Sequence, residues 1–222
     1  MNYDWNFKRL IPYIDAFFAG TITTLTLTCI VIIFGTFFGV IIGLIITKRI
    51  PRIILYPIID IIRALPPLVL ILFMYYLLTR QVIGTTIEAY WVCVIAMSLN
   101  LSAFTADLVR AAIENVPQSV SDAGKALGMS QSQLTRHIIL PYVLREIIPA
   151  MTLLYIAILK MSSLASVINV REVVYTAQTV ISNISRSLEA WTIVAIVYCV
   201  IVIPSTYLAR MVENWAGRGI GK

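Results

Sequence analysis

The sequence predicts an all-α fold, a polytopic transmembrane helical bundle of about five spans. Its 222 residues are 59% hydrophobic and 13% charged, with a mean hydropathy of +0.90. Soluble domains are nearer ~45–50% apolar and ~25% charged, and a globule of this length could not hide the excess apolar surface from water. Long apolar runs, near the ~20 residues that a spanning helix needs, alternate with short polar stretches. These features together indicate that the chain is embedded in a lipid bilayer.

The first apolar run extends from Thr21 to Thr47 and contains no charged residue. Its N-terminal part is rich in threonine, whose hydroxyl can return a hydrogen bond to the helix backbone in lipid. Small residues then recur at four-residue spacing, which predicts a ridge for close helix–helix contact. These residues are Gly35, Gly39 and Gly43.

The other four runs carry charged or helix-breaking residues. Adjacent prolines at Pro66 and Pro67 interrupt the second run, which should be kinked or briefly unwound there. A polar turn from Thr79 to Thr86 follows it, and a polar stretch from Arg171 to Glu189 precedes the last run. Pro141 can open the fourth run as its first helical residue. The runs are Ile53 to Leu78, Ile87 to about Ile113, Pro141 to about Ile168, and Ala190 to Ala209.

The distribution of basic residues predicts the orientation of the spans. Lys and Arg are retained on the cytoplasmic side, so the net charge of +6 reflects topology rather than affinity for nucleic acid. Five spans place the termini on opposite sides, with the N-terminus outside and the C-terminus in the cytoplasm. The larger, cytoplasmic set is Lys48, Arg49, Arg52, Lys125, Arg136, Arg210, Arg218 and Lys222, and the outer set is Lys8, Arg9, Arg80, Arg171 and Arg186.

Two short helices in a bent arrangement are predicted between the third and fourth runs. Ser119 and Asp122 have the three-residue spacing of a capping box, so the first of these helices should run from Ser119 to Leu127. Gly128 then stands where a left-handed C-cap is needed. A rigid pair of helices joined directly to two spans is suited to passing force between a soluble partner and the membrane.

The second short helix begins at another capping box, formed by Ser130 and Gln133, and is expected to end before Leu140 and Pro141. Three interpretations fit the pair of helices: a docking element for a cytoplasmic partner, an ordinary structural loop, and a helix-turn-helix that reads DNA. The DNA interpretation is disfavoured because phosphate contacts dominate DNA affinity, and the second helix offers only two basic side chains.

Ionisable groups inside the predicted spans are candidates for function, since such groups are expensive in lipid. Asn100, Phe104 and Asp107 recur at i, i+4 and i+7 and therefore share one helix face. Asp107 also has Arg63 and Arg110 as candidate partners, so a structural ion pair is the alternative to contact with a solute.

A second candidate face lies well along the fourth run, at Lys160, Ser162 and Ser163. If a solute site exists at mid-membrane, this face and the face of Asp107 are the candidates for it. The alternative for Lys160 is snorkelling of its ammonium group toward an interface.

Motifs from about Gly20 to Arg210 occur in an order and at a spacing that resemble one known family. Between the third and fourth runs, Asp122-Ala123-Gly124, Gly128 and Ile138-Ile139-Leu140-Pro141 resemble the pattern E-A-A-x-x-x-G with I-x-L-P downstream. Further matches are Thr21 to Thr28 with T-x-x-x-T, Arg63 to Leu68 with R-G-T-P-L-L, Ser102 to Arg110 with A-Y-x-A-E-x-x-R, and Lys160 to Ile168 with K-D-T-S-L-x-S-V-I. The chain thereby resembles the polar amino-acid permeases of ABC importers.

The resemblance implies a type I ABC importer permease fold in the bacterial inner membrane. It implies one transmembrane domain over residues 1–222, with a core at 20–210 and a cytoplasmic coupling loop at 115–140. The implied coupling residues are Ser119, Asp122, Ala123, Gly128, Leu140 and Pro141. The candidate pathway residues are Arg63, Asn100, Phe104, Asp107, Lys160, Ser162 and Ser163.

The resemblance also implies partners. A second permease chain, identical or homologous, would complete the pathway, and two cytoplasmic ABC ATPase subunits would bind the coupling loops. A periplasmic or lipid-anchored binding protein would deliver a small polar solute. The chain has no G-x-x-x-x-G-K-[ST] phosphate loop. We therefore expect ATP and Mg²⁺ in the partner subunits, and no catalytic residue, metal or cofactor in this chain.

Met161 departs from the family pattern, which has an acidic residue at this position. Its presence removes a partner for a cationic α-amino group, so the chain is either the less substrate-contacting half of a heterodimer or carries a different solute. Related solutes such as an opine or a compatible solute are alternatives, and a channel is a weaker one. An integral-membrane enzyme is disfavoured because the lone histidine, His137, lies in the loop.

Overall fold

The structure, a computed structural model, describes residues 3–78 and 87–217, without the side chains of 215–217. The polar turn predicted from Thr79 to Thr86 lies outside the described residues, as do Arg218 and Lys222. Within these ranges four helices are long and apolar enough to cross a membrane, and there is a fifth span if one bent helix pair counts as a single span. The long segments are Phe7–Ile46, Ala89–Glu114, Gln131–Ile168 and Ser187–Asn214.

The described elements are helical and follow one another closely. A 3₁₀ segment, Phe7–Tyr13, precedes the first α-helix, and another, Ser162–Ile168, follows the seventh. The α-helices are α1 (Ile14–Ile46), α2 (Arg49–Ala64), α3 (Pro67–Leu77), α4 (Ala89–Glu114), α5 (Gln118–Ala126), α6 (Gln131–Leu134), α7 (Leu140–Met161), α8 (Val173–Ile184) and α9 (Ser187–Gly217).

The predicted interruption at the two prolines is confirmed. Helix α2 ends at Ala64, and α3 begins at Pro67. Leu65 has ψ 130° and Pro66 has ψ 136°, both outside the helical region. Proline disfavours helical conformation in the residue before it, and Pro67 is tolerated because the first helical residue has no intrahelical N–H bond to lose.

The contacts divide the chain into two compact units. The first unit comprises Met1–Ile32, Pro66–Met97 and Ile156–Thr206. The second unit comprises Ile33–Leu65, Ser98–Tyr155 and Tyr207–Lys222. Helices α1, α4, α7 and α9 each contribute residues to both units.

Helix α8 organises the core of the first unit. Val173, Ala177 and Val180, at i, i+4 and i+7, are buried in one hydrophobic cluster with Phe17 of α1 and Val194 of α9. This helix lies within the stretch predicted to be polar, Arg171 to Glu189, and that prediction was wrong. Small apolar residues recurring at helical spacing among polar ones are the pattern of a short amphipathic helix.

A buried carboxylate fastens the N-terminal residues of the first unit to the start of α9. Glu189 is fully buried and accepts hydrogen bonds from the Tyr3 hydroxyl and from the Asn6 N–H at 2.9 Å. Arg186 donates to the Asp4 carbonyl at 2.7 Å and to Glu189 at 3.4 Å. The first turn of a helix also favours negative charge, so the carboxylate is stabilised from several directions.

The predicted glycine ridge of α1 is confirmed in the second unit. A Cβ at Gly35 would lie 2.8 Å from the Leu101 side chain, and one at Gly39 would lie 2.5 Å from the Cβ of Thr105. At Gly43 the corresponding distance to Val109 is 2.7 Å. Any side chain at these positions would force α1 away from α4, so the ridge sets the separation of the two helices.

The fourth span does not begin at Pro141 as predicted. Helix α6 continues through a π-helical turn, Thr135–Ile139, into α7 without a break, and Leu140 donates to the Thr135 carbonyl. A π turn shifts the hydrogen-bond register by one residue. A proline, which lacks an N–H, is therefore accommodated after the turn without ending the helix.

Glu172 caps α8 and is fully buried in the first unit, outside the spans. One carboxyl oxygen accepts the Tyr175 N–H at 2.7 Å, while the other has no hydrogen-bond partner among the described residues. The nearby Thr24 hydroxyl accepts the Val173 N–H at 3.3 Å. Burial raises the pKa of Glu172 to about 7, because removal from water disfavours the ionised carboxylate.

Replacing Gly39 with Val should destabilise the helix bundle by about 1–3 kcal/mol, because overpacking forces the backbone apart. The thermal unfolding midpoint in detergent measures this effect. Ala16→Val, which places the same valine side chain at an exposed position of α1, serves as the control. Equal midpoints for the two variants would contradict the close approach of α1 and α4.

The stability of the first unit should fall as the pH rises toward 7. Glutamate has an ordinary pKa of 4.5, so the unfolded chain releases this proton at lower pH than the folded chain. The contribution of Glu172 to the free energy of unfolding is fully present below about pH 4.5. It falls by about 3 kcal/mol as the pH rises through 7, since each pKa unit is worth about 1.4 kcal/mol. Unfolding midpoints should show this slope in wild type and in Asp15→Asn, but not in Glu172→Gln.

Candidate functional site: an ionic cluster, a lysine-lined cavity and a capped helix pair

Asp107 of α4 lies at the centre of an ionic cluster in the second unit. Its carboxylate contacts Arg63 of α2 at 2.8 Å and Arg110 at 2.7 Å. The Tyr56 hydroxyl donates to the same carboxylate at 3.0 Å, and the Arg63 guanidinium stacks over Phe104 with 5.3 Å to the ring centroid. Charge-assisted hydrogen bonds of this kind are strong when they are partly shielded from water.

The cluster extends along α2 and α4 to the end of the span. Glu114 accepts from Arg52 at 2.9 Å and also pairs with Arg110. The Tyr56 ring lies beneath the guanidinium groups of Arg52 and Arg110, at 5.5 and 5.0 Å. Three cations are thereby neutralised by three carboxylates, counting Asp60, which is 3.7 Å from Arg63.

The structure therefore forms both ion pairs that the sequence allowed for Asp107. Contact between Asp107 and a solute stays a prediction. The contributions of Arg52, Tyr56 and Glu114 were missed by sequence reasoning. The signal was available, because Arg52 and Tyr56 are four residues apart on α2, and Asp107 and Glu114 are seven apart on α4, which places each pair on one helix face.

Asn100 lies on the same face of α4 and is 4% exposed. Its side-chain amide nitrogen has no hydrogen-bond partner within residues 3–78 and 87–217. An unsatisfied buried donor costs about 1–3 kcal/mol. Asn100 is therefore buried on this face with an unpaired amide donor, and its contact with a solute stays a prediction.

Lys160 and Ser163 line a cavity of about 440 Å³ in the first unit. Its other walls include Tyr198 and Cys199 of α9. Ser162, in contrast, is fully buried and donates to the Leu159 carbonyl at 2.7 Å, so the structure does not bring it to this cavity. In the described part of the chain Lys160 forms no salt bridge.

The seven predicted pathway residues belong to different units. Four of them are in the second unit: Arg63, Asn100, Phe104 and Asp107. Within this group, Arg63 contacts both Asp107 and Phe104. Lys160, Ser162 and Ser163 are in the first unit.

The loop between α4 and α7 folds as a tightly packed helix pair. Gly124 of α5 is buried, and a Cβ there would lie 2.5 Å from Leu134 and 3.2 Å from Ile138. A side chain at this position would have to displace the end of the Leu134 side chain, so the glycine suits the close approach of α5 to the following helix.

Two predicted caps of this pair are confirmed. Gly128 follows α5 and has φ 75°. The Met129 N–H donates to the Gly124 carbonyl at 3.1 Å, and the Gly128 N–H donates to the Lys125 carbonyl at 2.9 Å. These two bonds form a Schellman motif. Ser130 and Gln133 exchange the two hydrogen bonds of a capping box at the start of α6.

The capping box predicted at Ser119 and Asp122 is not formed. Pro117 occupies the N-cap position with no side-chain hydrogen bond, and α5 begins at Gln118. Because the proline ring fixes the backbone of Pro117 just before the helix, α5 begins earlier than expected, and Ser119 lies inside the helix. Asp122 instead accepts from the Gln118 side chain at 3.4 Å.

The predicted coupling residues are exposed, four of them on α5 or its cap and two at the start of α7. These are Ser119, Asp122, Ala123, Gly128, Leu140 and Pro141, all of them exposed. Leu127, at the end of α5, is 82% exposed. The capped pair thus presents an uncovered leucine at its tip and continues directly into α7, while docking of a partner on it stays a prediction.

Several long apolar helices, joined by a polar helix pair and carrying ion-paired side chains, define an integral membrane protein. Residues 35–218 match the family of binding-protein-dependent transport system inner membrane components. The chain belongs to this family and is a multi-pass protein of the inner membrane.

Curated relatives match over nearly the whole chain. The chain is 28% identical to the glutamine transport system permease protein of Escherichia coli (strain K12), over 96% of this chain and 98% of that relative. It is 29% identical to the arginine transport system permease protein of Bacillus subtilis (strain 168), over 96% and 97%. It is also 29% identical to the nopaline transport system permease protein of Agrobacterium fabrum, over 94% and 90%.

Solved structures show the same fold. An amino acid ABC transporter crystallised with histidines matches with a TM-score of 0.87 and 29% identity, over 96% of this chain and all of that chain. An inward-facing methionine ABC transporter matches with a TM-score of 0.75 and 20% identity, over 94% and 99%. The predicted type I ABC importer permease fold is thereby confirmed.

Replacing Gly128 with Val should loosen the helix pair, because a β-branched residue at positive φ is strained by about 1–2 kcal/mol. Hydrogen exchange of the backbone amides of α5 should accelerate in this variant. Gly128→Asn is the matched control, since asparagine tolerates the left-handed region and should leave exchange nearly unchanged. Identical exchange in both variants would show that the positive φ is not needed.

Proposed function

We propose that this chain forms the translocation pathway for a polar amino acid in an ATP-driven importer. The observation that carries the proposal is the family match over residues 35–218. Relatives named for glutamine and arginine transport, with nearly full coverage, support the solute class. The similarity to an amino acid ABC transporter supports it further.

The Lys160 cavity is a candidate solute site. The ammonium group of Lys160 has no carboxylate partner in the described residues and can pair with the α-carboxylate of an amino acid. The Ser163 hydroxyl at the same wall can hydrogen-bond the solute. With Met161 in place of an acid, the positive end of the solute must be met by a group of a second permease chain or by a neutral acceptor.

Three kinds of partner complete the proposed importer. A second permease chain, identical or homologous, closes the pathway, and an extracytoplasmic binding protein delivers the solute. Two ABC ATPase subunits, which bind ATP and Mg²⁺, dock on the helix pair α5–α6. This chain itself has no phosphate-binding loop and contributes no hydrolytic group.

The helix pair is suited to relay motion. Helix α5 follows α4 after three residues, and α6 continues directly into α7. The buried Gly124 and the two caps make the pair rigid. Displacement of the pair by an ATPase subunit would therefore be transmitted to two spans, as alternating access requires. We place the N-terminus outside and this pair in the cytoplasm.

An opine is the second candidate solute, favoured by the similarity to the nopaline permease protein. Opines carry an amino-acid carboxylate as well, so Lys160 would serve both classes. Competition between nopaline and amino acids for uptake separates these candidates.

The test is uptake into proteoliposomes that contain the chain with its partner permease and ATPase subunits. Labelled L-glutamine or L-arginine should accumulate only when both ATP and the binding protein are supplied. Solute flux in the absence of both would identify a channel and overturn the proposal.

Replacing Lys160 with Met should lower the uptake rate at limiting solute by roughly ten- to a hundredfold, because a charge-assisted hydrogen bond is worth about 1.5–3 kcal/mol. Lys160→Arg should retain more uptake than Lys160→Met. Lys8→Met removes the same charge from an exposed outer position and should transport normally. Normal uptake by Lys160→Met, with intact assembly, would exclude this lysine from the pathway.

A further inference from the structure

A second polar cavity, which we call the outer cavity, lies in the first unit beside α1, between the start of α4 and the residues that precede α8. Its volume is about 450 Å³, within the range of about 300–1,000 Å³ typical of small-molecule sites. It shares no lining residue with the Lys160 cavity. Its polar lining is Thr23, Thr26, Glu88, Tyr90, Asn169 and Arg171.

Two opposite charges face the outer cavity without meeting. Glu88 precedes α4 and Arg171 precedes α8, and both lie outside the spans. In the part of the chain that the structure describes, neither forms a salt bridge, with the other or with any third residue. A carboxylate and a guanidinium on one cavity that remain apart leave room for a molecule carrying both complementary charges.

The neutral lining can bind the rest of such a molecule. The hydroxyls of Thr23 and Thr26 donate to backbone carbonyls of α1, each at 3.1 Å, so their oxygens remain available as acceptors. The Tyr90 hydroxyl lies 3.5 Å from that of Thr26. Asn169 adds an amide with both a donor and an acceptor.

We propose that the outer cavity binds a zwitterionic α-amino acid, with the α-ammonium at Glu88 and the α-carboxylate at Arg171. A guanidinium suits a carboxylate because it offers paired N–H donors. The amino-acid class rests on the proposed function, whereas the site itself is separate from the Lys160 cavity. A solute leaving the binding protein would meet this site before the spans.

The test measures equilibrium binding of labelled L-glutamine and L-arginine. The sample is the permease with its ATPase subunits in nanodiscs, without binding protein, in a Lys160→Met background that silences the other cavity. Glu88→Gln and Arg171→Gln should each weaken binding roughly tenfold or more, the value of one charged hydrogen bond. Because Arg171 also borders a neighbouring cavity, the Glu88 variant is the decisive one.

Matched controls remove the same charges elsewhere in the first unit. Asp15→Asn and Arg9→Gln are exposed and do not line the outer cavity, so their dissociation constants should equal that of the background. Unfolding midpoints of all variants exclude loss of folding as the cause. Equal affinities in Glu88→Gln and in its control would overturn the proposal.

Ligand analogues test each end of the site independently of mutation. N-acetyl-L-glutamine lacks the ammonium group, and L-glutamine α-amide lacks the carboxylate. Neither should displace labelled L-glutamine at concentrations where the unlabelled amino acid does. If both analogues displaced labelled L-glutamine as effectively as unlabelled L-glutamine does, recognition of a zwitterion would be contradicted.

Uptake by the wild-type importer separates failure of this site from failure of the proposed function. If the importer takes up either amino acid but the Lys160→Met complex binds neither, the outer site is wrong and the proposed function stands. If uptake is absent but binding depends on Glu88, the outer site stands and the proposed function is wrong. Absence of both uptake and binding overturns both.

Discussion

The close approach of α1 to α4 is the contact on which the second unit depends. No side chain fits at Gly35, Gly39 or Gly43, so the two helices lie nearly backbone to backbone. In lipid, helices are held by packing and interhelical polar contacts rather than by exclusion of water. The ridge therefore positions α4, and α4 carries Asp107 to Arg63 of α2. The same helix ends at Glu114, and the helix pair α5–α6 begins three residues later.

Buried carboxylates play the organising role in the first unit. Glu189 fastens the N-terminal residues to α9, and Glu172 caps α8 with one oxygen left unpartnered among the described residues. The contrast between them follows from their neighbours. Glu189 has Arg186 and two hydrogen-bond donors, whereas among the described residues no cation pairs with Glu172, and burial raises the pKa of Glu172. The first unit thus holds both a fully satisfied carboxylate and one poised to bind a proton, beside cavities lined by Lys160 and by Arg171.

Local features of the site were predictable from sequence because their partners are close in the chain. The left-handed Gly128 and the Ser130–Gln133 box depend on residues within one helical turn. Helix-face spacing likewise brought Asp107 and Arg110 together. The failures came from competing local signals: Pro117 took the N-cap position from Ser119, and a π turn carried the helix past Pro141. Both prolines are visible in the sequence. Their effect on the helices depended on the conformation of the neighbouring backbone, which residue spacing does not describe.

The sequence alone determined that the chain spans a membrane, where the apolar runs lie, where Pro66 and Pro67 break the second run, and which family motifs it carries. These properties depend on composition and on spacing within single helices, which lipid and backbone geometry impose locally. Only the tertiary structure showed that α8 is a core helix, that Gly124 packs against Leu134, that Glu172 is buried, and that Glu88 and Arg171 line one cavity. Those properties depend on which helices meet and how closely, and contacts between residues far apart in the chain are set by the packing of the whole unit.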